Sequence, residues 1–201
     1  MIDAKFIILV LIAYFLGNIS PSTLLARARG MDIKKEGSGN AGTTNTLRVL
    51  GGKAAAITLI VDIGKGVLAV VLGTVFSGTY CAMWCVLAAF LGHIFPVLLK
   101  FKGGKGVAVA FGAVAALNWK LGFLSLGIVI VAVLISRRVS VGSILIACLF
   151  PFLVLWLEPD FLPFSIVMAV LLFYKHRGNL MRLINGEEDP ISLKWFKGKR
   201  G

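Results

Sequence analysis

Apolar runs close to membrane-crossing length, interrupted by short glycine-rich clusters that hold most of the cations, constrain this chain more than any other feature. Hydropathy places the runs at 4–26, 54–76, 81–99, 107–118, 121–136, 139–157 and 161–175. A helix needs about 20 apolar residues to cross a bilayer, so the runs at 107–118 and 161–175 are short and suit re-entrant or protein-lined positions. A soluble core cannot absorb them. The chain has 201 residues, 58% hydrophobic and 15% charged, against roughly 45–50% apolar and about 25% charged residues in globular chains. At this size the surface-to-volume ratio leaves too little interior. The sequence therefore predicts an all-α integral membrane protein with about seven transmembrane helices, five or six being the fallback count.

The cations give an orientation. With the N-terminus outside, the inner side receives Arg27, Arg29, Lys34, Lys35, Arg48 and Lys53, then Lys100, Lys102 and Lys105, then Arg137 and Arg138, then the tail from Lys175. The outer side receives Lys5 and Lys120 with the acidic Glu158 and Asp160. Every loop then obeys the positive-inside rule, which requires an odd number of spans and favours seven. The expected layout is one polytopic membrane domain over 1–190, N-terminus outside, and a basic cytoplasmic tail over 191–201, solvated or touching lipid headgroups.

Composition excludes other classes. The net charge of +12 lies in clusters between apolar runs rather than in a basic stripe interleaved with aromatics, so no nucleic acid is expected. The N-terminal run lacks a basic leader, and Arg27 sits inside the small-x-small match Ala26-Arg27-Ala28, so no cleaved signal is expected. Cys81, Cys85 and Cys148 lie in or beside apolar runs and read as packing residues. The carboxylates are too scattered for an oxygen-ligand cage; no metal and no cofactor are expected.

Three polar segments carry the chemistry. In the first, Gly37-Ser38-Gly39-Asn40-Ala41-Gly42-Thr43-Thr44-Asn45 followed by Arg48, glycines permit positive φ and an inward-facing nest of amides. Hydroxyls, amides and a forked cation stand beside them, a set suited to phosphate. The second, Phe101-Lys102-Gly103-Gly104-Lys105-Gly106, follows Gly92-His93-Ile94-Phe95-Pro96. It lacks the G-x4-G-K-[ST] pattern of a P-loop, but bare amides and lysines leading into a helix near Val107 make an anion site. The third runs from Tyr174 through His176, Arg177, Gly178, Asn179 and Arg182 to Glu187 and Glu188. A helix there puts His176, Asn179 and Arg182 on one face, where a histidine could move protons or hydrogen-bond a phosphate. Asp62 and Lys65, three apart inside an apolar run, predict a helical ion pair. Asn18, Ser20 and Pro21 predict a kink in the first span.

GSGNAGTTNTLR at 37–48, GHIFPVLLKFKGGKGVA at 92–108 and HRGNLMRLINGEE at 176–188, in this order, resemble the bacterial glycerol-3-phosphate acyltransferases that use acyl phosphate as donor. The resemblance spans Gly17 to about Glu188. It implies a seven-span inner-membrane enzyme with its active site facing the cytoplasm. The implied reaction moves an acyl group from acyl phosphate to the 1-hydroxyl of glycerol 3-phosphate. Lysophosphatidic acid and inorganic phosphate are the products, at the first step of phospholipid synthesis. It further implies His176, Asn179, Ser38 and Lys105 as catalytic residues. Gly39, Asn40, Gly42, Thr43, Thr44, Asn45, Arg48, His93, Lys102, Gly103, Gly104, Gly106, Arg182 and Glu188 would bind substrate, with Gly103–Gly106 associated with glycerol 3-phosphate. The partners implied are acyl phosphate, glycerol 3-phosphate, the lipid bilayer and the enzyme that makes acyl phosphate.

Acyl phosphate is a mixed anhydride with a good leaving group, so no enzyme nucleophile is required. Alignment can supply up to roughly 7–11 kcal/mol and one oxyanion donor about 2.7–4 kcal/mol. The proton acceptor is left open between His176 and an oxygen of the donor's own phosphate. Acyl-CoA and acyl-carrier-protein enzymes commonly carry His-x4-Asp, absent after both histidines here. An organic-anion transporter would share cationic glycine loops, but it normally shows an internal repeat and a midplane site.

Overall fold

The fold follows from where the apolar runs are interrupted. The computed structural model describes residues 2–192 and 194–195; the rest of the expected basic tail, at 193 and 196–201, lies outside the described residues. Helix α1 spans Ala4–Asn18, capped by the Asp3 carboxylate, which accepts from the Phe6 amide at 2.8 Å. It ends at Ile19, and Pro21 opens α2 (Pro21–Arg27), where a missing N–H costs nothing. The anticipated kink is thus a full break, and it frees carbonyls at the end of α1.

After the first polar segment come α3 (Thr43–Leu50) and α4 (Gly52–Ile94). Gly78, at φ 80° and ψ 178°, breaks α4 into two arms, matching the runs at 54–76 and 81–99. The second arm stops at Ile94, earlier than the run, because Pro96 disfavours helix before it; Val97–Leu99 form a short 3₁₀ turn. Helix α5 (Val107–Leu117) is only 11 residues long. Helices α6 (Trp119–Ser136) and α7 (Val139–Leu157) follow. Helix α8 (Leu162–Lys175) has 14 residues and leads into α9 (Arg177–Ile184). No strand occurs among the described residues.

Four helical stretches are long and apolar enough to cross a membrane: Ala4–Arg27, Gly52–Leu99, Trp119–Ser136 and Val139–Leu157. Their surfaces invert the soluble pattern. Ile135, Trp156, Leu134 and Phe152 are 80, 74, 73 and 71% exposed, whereas Asn18, Thr58, Asp62, Lys65 and His93 are buried. Lipid is the solvent that accepts such an exterior. Cys81 and Cys85 pack inside as expected, but Cys148 does not: it is exposed on the outer face of α7 beside Leu145 and Leu149.

Helices approach closely where glycines face each other. A Cβ at Gly17 would strike the Ala89 carbonyl and Gly92 backbone, and one at Gly92 the Tyr14 carbonyl, so α1 lies against the second arm of α4. Gly66 meets Val109 and Ala113, and Gly112 meets Ile63, joining the first arm to α5. Apolar transfer gives no drive between helices in lipid; contact of small residues does. These seams bring the three polar segments to one end of the bundle.

Candidate active site

The first polar segment is folded by its own asparagine. Asn45, buried on α3, accepts from the Ser38 amide at 2.8 Å and donates to the Glu36 and Ile33 carbonyls at 2.9 and 3.2 Å. Gly37 and Gly39 adopt φ of 57° and 69°, and any side chain at Gly37 would strike the Asn45 amide oxygen. The hydrogen-bonding capacity of Asn45 is thereby spent on shaping the loop. Beyond it, the Thr43 hydroxyl and the Arg48 Nε are buried with no hydrogen-bond partner among the described residues. Orphaned donors are costly unless something absent from the protein satisfies them. The Arg48 guanidinium also lies 4.5 Å over the Trp195 ring and 3.7 Å from the Asp189 carboxylate.

The second segment is strapped to α1: the Tyr14 hydroxyl donates to the Phe95 carbonyl at 2.8 Å and the Asn18 amide oxygen accepts from the Leu98 amide at 3.2 Å. The turn ends at Gly106, whose φ of 92° and contact with the Phe90 ring leave no room for a side chain. Gly106 caps α5, and the preceding Lys105 donates to the Asn179 amide oxygen.

The third segment supplies the opposite wall. Asn179 donates to Glu188 at 2.6 Å, and Arg182 donates to the other oxygen of Glu188 at 2.7 Å. The amide is therefore oriented unambiguously, oxygen to ammonium and nitrogen to carboxylate. Arg138 donates to the Glu188 carbonyl at 2.7 Å, tying the segment to α7. His176, at the junction of α8 and α9, donates from Nδ1 to the Leu172 carbonyl at 2.8 Å, which leaves Nε2 as the ring's acceptor.

Electrostatics follow from burial and crowding of like charge. Burial, partly opposed by Glu188 and reinforced by Arg182 and Arg48, lowers Lys105 to about 8. Burial and the Lys105 charge lower His176 to about 4, so its imidazole is neutral near pH 7. Burial pushes Glu188 up, but donation from Asn179 and Arg182 outweighs it and holds the carboxyl below its ordinary value. Arg48, Lys105 and Arg182 line the cavity, and an anion bound beside Lys105 would offset the burial that lowers it.

A cavity of about 480 Å³ lies among these groups. Of the residues expected at a site, Ser38, Asn40, Gly42, Thr43, Thr44, Asn45, Arg48, His93, Lys105, Gly106, His176, Asn179, Arg182 and Glu188 reach its wall. Gly39, Lys102, Gly103 and Gly104 do not: Lys102 is exposed, and Gly103 and Gly104 pack behind the wall on His93. Asp62, Ser140, Ser143, Asp189 and Trp195 line it as well. For Ser140 a signal existed, because Ser140 and Ser143 are three apart in an apolar run and mark one polar helix face. Asp189 and Trp195 carried none. A second, apolar cavity of about 80 Å³ adjoins the first, sharing Val107, Phe111 and Leu126 and extending between Phe90, Phe150 and Met168. The combination can hold an anionic head beside an apolar chain. Among the described residues no three His, Cys, Asp or Glu side chains converge as a metal cage.

The family model described as glycerol-3-phosphate acyltransferase matches residues 7–186. A glycerol-3-phosphate acyltransferase of Proteus mirabilis is 43% identical over 194 residues, covering 96% of this chain and 88% of the relative. One of Thermoanaerobacter pseudethanolicus is 39% identical, covering 94% and 96%. Among solved structures, PlsY, an integral membrane glycerol 3-phosphate acyltransferase, superimposes in its glycerol 3-phosphate form with a TM-score of 0.89 at 33% identity, covering 94% of this chain and 96% of that one. Its lysophosphatidic acid form gives 0.86 at 32% identity, covering 96% and 99%.

Proposed function

The chain belongs to the glycerol-3-phosphate acyltransferase family, and on that premise we propose that it transfers a fatty acyl group from acyl phosphate to the 1-hydroxyl of glycerol 3-phosphate. The products are lysophosphatidic acid and inorganic phosphate. The observation that carries this reading is the meeting of all three polar segments around one cavity that holds Arg48, Lys105 and Arg182 and adjoins an apolar slot. Such a space suits a phosphate head with an acyl chain, and a second small phosphate ester beside it.

The reaction needs alignment more than covalent chemistry. Arg48, Lys105 and Arg182 offer charge for two phosphates, and the Thr43 hydroxyl and Arg48 Nε offer buried donors without an acceptor among the described residues. Attack of the glycerol hydroxyl on the carbonyl pushes charge onto its oxygen, which Lys105 or a loop amide can stabilise. The hydroxyl proton passes to His176 Nε2 or to a donor phosphate oxygen. Collapse breaks the carbon–oxygen bond to phosphate, which leaves as inorganic phosphate. No cysteine lines the cavity, in keeping with direct transfer.

In this reading the chain sits in the bacterial cytoplasmic membrane, crosses it seven times with its N-terminus outside, and opens the cavity to the cytoplasm. The four long helical stretches, the Gly78 break and the clustering of cations near the cavity support it. The test supplies the purified protein in liposomes with labelled glycerol 3-phosphate and either palmitoyl phosphate or palmitoyl-CoA. Lysophosphatidic acid formed only with palmitoyl phosphate, with equal phosphate released, is expected. Product only from the thioester would overturn the donor, and product from neither would overturn the acyltransferase reading.

A further inference from the structure

Inside the bundle lies an ionic cluster that reaches the cavity wall at Asp62 and His93 and that the transfer chemistry does not use. Lys65 and Asp62, both on α4 and both buried, are 2.8 Å apart. Lys65 also donates to the Gly17 and Ile19 carbonyls at 3.0 and 2.6 Å, the groups freed by the break between α1 and α2. It lies 2.9 Å from His93 Nδ1. An ammonium has donors only, so Nδ1 is the acceptor there and the ring proton sits on Nε2. Three ammonium hydrogens thus serve two carbonyls and the Asp62–His93 pair.

His93 in turn carries the second glycine turn. Its carbonyl accepts from the Gly104 amide at 3.1 Å. A side chain at Gly103 would strike that carbonyl, and one at Gly104 would strike Nε2 of the ring. The turn therefore rests on His93 through backbone and ring together, and the next residue is Lys105, whose ammonium reaches Asn179.

We propose that Asp62 and Lys65 are positioning residues: they fix the tautomer and tilt of His93, whose ring and carbonyl set the Gly103–Lys105 turn and so the place of the Lys105 ammonium in the cavity. The burial of a charged pair inside an apolar helix supports this, because such pairs are expensive and persist where they serve a site. A ring held on one nitrogen by a fixed charge cannot swivel, as in sites where outer groups orient the ligating histidine. The proposal rests on the acyltransferase reading only for its kinetic consequence; the geometric one is measured without substrate.

The experiment uses the full chain in detergent. The double variant Asp62→Asn, Lys65→Met removes the pair without leaving a lone buried charge, and His93→Ala and His93→Gln are made separately. Without substrate, labelling of Lys105 by an amine-reactive reagent at pH 8 is followed by mass spectrometry, with exposed Lys35 as reference. Labelling of Lys105 relative to Lys35 is expected to change about tenfold in the double variant and in His93→Ala, and less in His93→Gln, which keeps an N–H at the ring's outer end. In the transfer assay the same variants should lower kcat/KM about tenfold, in line with the rate cost of small misplacements. Unchanged Lys105 labelling in folded His93→Ala overturns the proposal. So does an unchanged kcat/KM in the double variant at an unchanged folded fraction. If the wild type transfers no acyl group, the functional reading fails, while the labelling still decides the positioning role.

Discussion

The Lys105 ammonium donates to the amide oxygen of Asn179, 74 residues further along the chain, and the same amide donates to Glu188. One side chain thus joins the second glycine segment to the third and holds a cation and a carboxylate apart, each with a partner. Removing Asn179 lets Lys105 and Glu188 pair directly and withdraws the cation from the cavity. Asn179→Ala and Lys105→Met should each lower kcat/KM by about 10²–10³-fold, the range for loss of one buried transition-state donor. The double variant should lose little more than either alone, because residues acting as a unit are not additive. Additive losses in steady-state kinetics would separate the two roles.

Lys105 sets the alkaline limb of activity. It keeps its proton below about pH 8, so kcat/KM should fall above that pH, and Lys105→Arg should extend the plateau upward. Stability has the opposite sign. The ordinary lysine value of 10.5 lies above the folded one, so the unfolded chain binds more protons between about 8 and 10.5. Lys105→Met should therefore melt higher than wild type at pH 7, with the gap closing as pH rises through that window. Equal melting temperatures at pH 7 would count against a buried, charged Lys105.

His176 is neutral above about pH 4 and presents Nε2 as an acceptor. If it takes the hydroxyl proton, His176→Ala should reduce kcat by about 10²–10⁴-fold with KM little changed. Full retention of kcat would hand the proton to the donor's phosphate oxygen.

Asp189, 71% exposed and 3.7 Å from Arg48, places a carboxylate against a cation otherwise open to an anion. Asp189→Asn should lower KM for one phosphate substrate about two- to threefold, since an exposed pair is worth only about 0–1 kcal/mol. A rise in KM would show that Asp189 orients Arg48 instead of competing for it.

The glycine seams predict stability. Gly66→Ala and Gly112→Ala push α4 and α5 apart against backbone atoms. Each should cost about 1–3 kcal/mol, the usual range for overpacking, read as a lower melting temperature in detergent. Gly127→Ala, with nothing near the added carbon, should leave it unchanged.

Much of this was legible from residue order. Runs of apolar residues dictate helices because lipid cannot satisfy exposed backbone groups, and Pro21 and Pro96 mark ends because they lack an amide hydrogen. The Asp62–Lys65 pair follows from helical spacing alone, as does the start of α5 at Val107. What needed the tertiary structure were the roles of polar groups within the loops. Asn45 reads as a ligand in sequence, yet its amide is consumed in closing its own loop. Gly103 and Gly104 read as cavity wall, yet they pack behind it on His93. Spacing says which side chains share a helix face; it does not say which of several donors meets which acceptor across 74 residues. That choice is made by close packing at the glycine seams, where the distance between backbones decides which groups touch and which are left facing the cavity.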